Sequence, residues 1–380
     1  MERLKRFKDE YEFRDRKFKM CQIGEQLFAM PETKYPDLTK IKKDLSLLTQ
    51  LYDLYDAVLR TAKDWNEILW TEVVDSIADM LQMVENFDTK CNKMPRKLRD
   101  WDAFKTLRRQ IDDFRAILPL LEELGKESIE ERHWDEIRNI TGTDFDQTEE
   151  GFKLETLLAA NLPQYADDVQ EITDAADKQR SIRNKTWQIK AVWDQKTIDF
   201  QDWKDRGIPT MRGVPLLLEE LEETQVELQT LLTMRHVTPY KEEVQEQLQR
   251  LSDTADTLEL WLKVQMAWGN LESVFLGGDI ARQLPREAKK FSKIDKDWQK
   301  IMAKAKETSI ATEATQNEIL RSNLPLMYSD LESCQKSLEG YLEQKRNKFP
   351  RFYFCSNPVL LQILSQGSDP ESMQQFYEKV

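Results

Sequence analysis

Few residues of this 380-residue chain have types and spacing suited to chemistry. A phosphate-binding loop needs glycines that bring backbone N–H groups around the anion, then Lys and Ser or Thr at a helix start. Gly125-Lys126 is followed by Glu127 and has no glycine five residues earlier. Gly277-Gly278 lacks the lysine and runs into Asp279, whose charge opposes a phosphate. The two histidines, His133 and His236, lie far apart in the chain, so the inventory excludes a histidine-based triad or a two-histidine metal site on one helix. His133, beside Trp134, reads as a packed or capping side chain. Cys21, Cys91, Cys334 and Cys355 contain no Cys-x-x-Cys pair, which argues against a zinc site and a disulfide framework and fits a reducing compartment. Adjacent carboxylates such as Asp112-Asp113, Asp167-Asp168 and Glu219-Glu220 diverge on a helix, cannot share a substrate and read as solvated faces. No catalytic, cofactor-binding or metal-ligating residue is therefore assigned.

The residues that stand out instead are backbone breakers. With 11 Gly and 13 Pro in the chain, combined usage is about half the ordinary ~12%. Turns are few, elements are long, and each turn carries information. Arg206-Gly-Ile-Pro-Thr-Met-Arg-Gly213-Val-Pro215 is the densest cluster and reads as a hairpin between antiparallel helices. Phe275-Leu-Gly-Gly-Asp-Ile-Ala-Arg-Gln-Leu-Pro285 is the second, a short connector between two helical segments. Gly207, Pro209, Gly213, Pro215, Gly277, Gly278, Asp279 and Pro285 are thus the candidate junction or contact residues: places where helices end, or where the backbone approaches a partner or changes direction.

Apolar periodicity shows what these junctions separate. Leu38, Ile41, Leu45, Leu48, Tyr52, Tyr55 and Leu59 recur at steps of three and four, a stripe that must be buried. Asp100 offers an N-cap to a helix bearing Phe104, Leu107, Ile111 and Phe114, which Pro119 bends or stops. Glu127 to Ile140 reads as a short helix closed by Thr141-Gly142. Val169, Ile172, Ala176, Ile182, Ile189 and Trp193 hold one face from Gln164 to near Phe200, roughly 55 Å at 1.5 Å per residue. Further helices follow over Leu217–Leu231, Val244–Trp268, Arg286–Lys306 and Met327–Arg346. Phe352-Tyr-Phe-Cys355, between Pro350 and Pro358, reads as a short extended segment. The fold class is all-α, an elongated arch of stacked helical bundles with one possible extended stretch near 350–356. The segments are 1–36 as a connecting helix, 37–163 as N-terminal bundles, 164–276 as a long-helix bundle and 277–380 as a C-terminal helical part.

A formal charge of −13 repels phosphate backbones and acidic bilayers, so neither nucleic acid nor membrane is expected as a partner. The basic run Lys5, Arg6, Lys8, Arg14, Arg16, Lys17 and Lys19 is the exception. It reads as a solvated helix face or as a surface for an acidic protein partner. The N-terminus opens on charge rather than on an apolar signal, no 18-residue apolar run occurs, and both ends lack caps, as in a piece of something longer.

Several blocks, in order, resemble the linker region of dynein heavy chains: Glu131-Arg-His-Trp134 with Thr141-Gly142 and Phe145, Ile280 to Pro285, Ile294-Asp-Lys-Asp-Trp298, Cys334-Gln-Lys-Ser337, and Lys348-Phe-Pro-Arg-Phe-Tyr-Phe354 with Leu360-Leu-Gln-Ile-Leu364. Leu98-x-x-Trp101-x-Ala103-Phe104 and Ile111-Asp-Asp-Phe114 are similar to the wording of axonemal outer-arm chains. The resemblance runs from about Glu25 onward and departs from the family at Cys355 and through the polar Ala311–Asn323. It implies a helical rod lying across a ring of AAA+ ATPase modules, bending and straightening with nucleotide to deliver a power stroke in ciliary or flagellar motility. The chain itself would not be an enzyme. ATP and magnesium would belong to the parent ring, the ring would be the contact in cis, and other dynein heavy, intermediate or light chains could be neighbours in the cytoplasmic axoneme. A static spectrin-like scaffold that binds other chains is the rival expectation.

Overall fold

The computed structural model describes residues 2–31, 33–149, 151–276 and 280–365, together with Gln374 and Phe376. Among them the chain forms fourteen α-helices and one two-stranded sheet, in two compact units, Met1–Lys178 and Gln179–Val380. It is essentially all-α, as the periodicity indicates.

In the first unit α1 (Glu2–Leu27) packs on α2 (Pro36–Asn66), and α2, α3 (Trp70–Asn92), α4 (Asp102–Leu124), α5 (Glu131–Thr141), α6 (Leu154–Ala159) and the start of α7 (Ala166–Trp193) surround an aliphatic core. Leu51, Val73, Leu107, Leu121, Ile137 and Leu157 are inaccessible to water within it. Burying each such side chain contributes about 1.5–3 kcal/mol. Trp70, Trp134, Phe145 and Phe152 form a ladder with ring centroids 5.7, 6.0 and 5.6 Å apart. Beside it, the Trp70 N–H donates to the Phe152 carbonyl at 2.9 Å and the Leu154 N–H to that of Ile68 at 3.0 Å. This bridge occupies the break between α2 and α3.

Several termini differ from expectation for physical reasons. The N-cap of α4 is Trp101, not Asp100. Pro119 neither stops nor ends that helix: its neighbours Leu118, Leu120 and Leu121 are buried, and their packing outweighs the proline's missing donor. Gly142 does close α5, in the left-handed conformation at φ 66°. His133 is a capping side chain, its Nδ1 accepting the Glu130 N–H at 2.9 Å. The stripe on α2 is less covered than its period demands, since Leu38, Leu45 and Leu48 are only half-buried and Ile41 is exposed.

The second unit contains the rest of α7, β1 (Asp199–Trp203), β2 (Ile208–Arg212), α8 (Val214–Leu232), α9 (Lys241–Phe275), α10 (Ile280–Gln283), α11 (Pro285–Glu307), α12 (Ala311–Thr315), α13 (Glu318–Lys348) and α14 (Asn357–Ser365). Helix α9 packs along α8 and α13, burying Leu251, Leu258, Trp261, Val264 and Trp268 on one continuous side. Two expectations are corrected here. The segment before α8 is a β-hairpin and not a turn joining antiparallel helices; α7 therefore ends at Trp193 and spans about 42 Å at 1.5 Å per residue. Pro350–Phe354 is a 3-10 turn rather than an extended strand, because the Phe352 and Cys355 N–H groups find local carbonyls instead of a neighbouring strand. Helix α13 starts at Glu318, capped by the Asn317 side chain, and runs through Pro325.

Candidate functional site

The hairpin pairs Asp199 with Arg212, Gln201 with Thr210 and Trp203 with Ile208. Its turn is made possible by two residues at positive φ, Lys204 at 45° and Gly207 at 61°, the second a conformation that only glycine takes freely. On β2 the Met211 N–H donates to Gln265 Oε1 at 2.8 Å and the Met211 carbonyl accepts from Gln265 Nε2 at 2.9 Å. One side chain of α9 thus supplies both bonds that a third strand would. Because alternate residues of a strand turn their polar groups the same way, Pro209 also faces away from β1 and costs the ribbon no ladder bond.

The turn delivers Arg206 to two buried carboxylates. Its Nη1 lies 3.1 Å from Glu272 Oε1 and 3.1 Å from Asp295 Oδ1, and its Nη2 is 2.7 Å from Asp295 Oδ2. Lys204 Nζ reaches Glu272 Oε2 at 2.9 Å. Asp295 also accepts from Trp268 Nε1 at 3.0 Å and Gln299 Nε2 at 2.8 Å. Both acids are less than 10% exposed, with 8% and 7% of their side chains accessible. Burial by itself would push Glu272 up; hydrogen bonds from Lys204 and Arg206 outweigh it and hold the carboxyl below the usual range. The bonds to Asp295, ahead of the opposing cost of burial, push the Arg206 guanidinium above its ordinary value.

Tryptophans surround this cluster. Trp203 lies 5.6 Å from Trp268 and Trp268 lies 5.7 Å from Trp298, centroid to centroid, with Lys204 Nζ 4.8 Å above Trp203. Gly269 makes the approach possible, since a Cβ there would stand 3.3 Å from the Trp203 ring. Glu272 is near the end of α9 and Asp295 is in the middle of α11, so Arg206 ties together the two helices that flank the short connector. The arrangement holds backbone segments in register. Among the described residues no group of three His, Cys, Asp or Glu could hold a metal.

Of the sequence-derived junction residues, Gly207 follows Arg206 in the turn and Pro209 lies in β2. Gly213 takes φ 70° before α8, Pro215 is in the first turn of α8, and Pro285 opens α11. Gly277, Gly278 and Asp279 lie outside the described residues. Through Arg206 the fold joins the first breaker cluster to the two helices that flank the second, at Glu272 on α9 and Asp295 on α11, residues that sequence reasoning did not single out. A signal existed. Glu272 interrupts the apolar series Trp268, Leu271, Phe275, and Asp295 interrupts Phe291, Ile294, Trp298, so both acids stand on core-facing stripes where a charge needs a partner.

A profile described as "Dynein heavy chain, N-terminal region 2" matches residues 38–380. The chain is 40% identical over 376 residues to "Dynein gamma chain, flagellar outer arm" of Chlamydomonas reinhardtii, covering 98% of this chain and 8% of that protein. It is 41% identical over 376 residues to "Dynein axonemal heavy chain 5" of Rattus norvegicus, covering 98% and 11%, and 41% identical over 377 residues to "Dynein axonemal heavy chain 8" of Homo sapiens, covering 98% and 8%. The chain therefore spans a small part of the length of these relatives.

Proposed function

Since the chain belongs to the dynein heavy chain family, within its N-terminal region 2, we propose that it is the mechanical linker element of an axonemal heavy chain, carrying an ATP-driven stroke from the parent's AAA+ ring toward the tail. ATP and magnesium act in that ring, which this piece contacts in cis; other dynein chains are its neighbours, and the cilium or flagellum axoneme is its place of work. The observation that supports this reading is the Arg206 tie. An element that transmits force needs its long helices to move together, and a two-carboxylate clamp across α9 and α11 prevents them from sliding past each other at the connector. Bending would then concentrate where such ties are lacking.

The reading is tested with Arg206→Ala in the full-length motor, by microtubule gliding and ATP turnover side by side. A linker predicts slowed gliding while turnover per motor continues, because chemistry and stroke come uncoupled. Unchanged gliding speed from a folded variant overturns the stroke assignment and favours a static, spectrin-like scaffold.

A further inference from the structure

In the second unit, residues 309–315 cross the end of α7 on their way from α11 to α13 and are fastened there mainly by polar groups. The Ile198 N–H donates to the Ser309 carbonyl and the Ala311 N–H to the Lys196 carbonyl, both at 2.8 Å. The Thr312 hydroxyl donates at 3.3 Å to the carbonyl of Trp193, which as the last residue of α7 lies beyond the helix's own donors. Arg250 Nη2 donates to that hydroxyl at 3.0 Å, while its Nη1 lies 2.7 Å from Asp194 Oδ1. What α12 itself buries is small: Ala311, Thr312, Ala314 and Thr315. Its neighbours bury Phe291, Trp298 and Met302 on α11 and Leu320, Leu324 and Leu331 on α13. Apolar stabilisation scales with area, so this strap gains much less from it than the helices on either side.

Its other flank borders free volume. A cleft of about 210 Å³ lies between α12 and the facing parts of α9, α11 and α13, lined by Trp261, Ile301, Ala305, Ala314 and Leu320. Side chains that face a void lack partner atoms on that side and forgo the contacts that would hold them. The ends of the strap are anchored: the Thr308 N–H donates to the Lys304 carbonyl at 3.2 Å, and Arg321 Nε donates to the Thr315 carbonyl at 2.9 Å. The residues beneath have ties of their own, because Ile198 is buried in the core and Lys196 pairs with Glu220. The Arg250–Asp194 pair is open to water, with 43% of the Asp194 side chain accessible, and is exchangeable. Anchored ends, directional ties on one side and room on the other are the makings of a part that moves by itself.

We infer that residues 309–315 are a releasable strap: they swing off the end of α7 into the cleft, leaving that end held by the packing of Trp193 and its N–H bond to Thr224. The device switches one helix end between two strengths of attachment. It opens while the Arg206 clamp stays shut, since the two share no residue. This rests on contacts within the unit and not on the stroke assignment, which stands or falls by Arg206.

The test is residue-resolved hydrogen exchange on the 380-residue chain, each amide measured against its intrinsic rate. Ile198 and Ala311 should open together, about 100-fold more often than Leu258 in the middle of α9 or Met211, whose N–H is held by Gln265. Thr312→Val keeps the shape and removes the hydroxyl, so exchange at Ile198 and Ala311 should speed up about tenfold with Met211 unchanged. Ala314→Leu fills the cleft and should slow the same two amides about fivefold. Circular dichroism verifies that both variants keep their helices. Exchange of Ile198 and Ala311 only at the rate of Leu258, at rates unrelated to each other, or in step with Met211 in Thr312→Val overturns the strap. Unchanged or faster exchange in folded Ala314→Leu overturns the swing into the cleft.

Discussion

Both units are built on an apolar core, and the second adds a buried ion cluster to it. The first, Met1–Lys178, is held by aliphatic side chains and an aromatic ladder, and its charges lie near the surface. The second, Gln179–Val380, places a guanidinium between two carboxylates among three tryptophans. Apolar contact is non-directional, so a core of the first kind gives way gradually as its atoms are removed. A buried ion cluster has one satisfactory arrangement, and removing a member strands the others. The contrast separates packing that resists collapse from packing that fixes position.

The sharpest way to break that contrast is Arg206→Ala, which leaves Glu272 and Asp295 buried side by side; it should cost about 3–5 kcal/mol. Hydrogen exchange should show protection lost over residues 199–212 and at the facing parts of α9 and α11, with residues 70–157 unaffected. Equal loss in both units would mean the clamp is not local. In the first unit, Trp134→Leu removes the centre of the aromatic ladder and should cost about 2–3 kcal/mol by urea denaturation. Acid provides a third discriminator. Glu272 has a folded value below its unfolded one, so its contribution is present above the ordinary carboxylate range and lost as pH falls through the folded value. Protection at the hairpin, measured against the intrinsic exchange rate at each pH, should therefore fall in acid, and Glu272→Gln should remove part of that fall. Gln265→Leu, which frees the Met211 N–H and carbonyl, should cost about 1–2 kcal/mol. Smallest is Gly269→Ala: the helix gains about 1 kcal/mol from losing a glycine, and the 3.3 Å approach to Trp203 takes back a similar amount. The midpoint should barely move while tryptophan fluorescence shifts.

Legibility followed the length of the pattern. The face from Val244 to Trp268 is read directly as α9, and Gly142 as the end of α5, because each rests on local physics: periodicity in one case, a left-handed backbone in the other. The hairpin was hidden. Its strands have five residues each, Asp199 and Asp202 are poor strand formers, and Ile189 and Trp193 just before it extend a helical period toward Phe200. What makes it a ribbon is Gln265, Trp268 and Gly269 of α9, more than fifty residues later in the chain. Pro119 misled for the converse reason, since a strong local breaker was overruled by Leu118 and Leu121 in the core. The site was half legible. Breakers marked both clusters, but the ions joining them belong to α9 and α11, and only the fold shows that Arg206 reaches both.

The glutamine on α9 also has a bearing on solubility. A ribbon of two strands carries two open rims, and an open rim can template pairing between molecules. By engaging the outer amide and carbonyl of Met211 at once, a single carboxamide blunts that rim without adding a strand. Because Ile208, Thr210 and Met211 are buried, α9 and α11 cover this rim as well, so the carboxamide and the helices together keep it from other molecules.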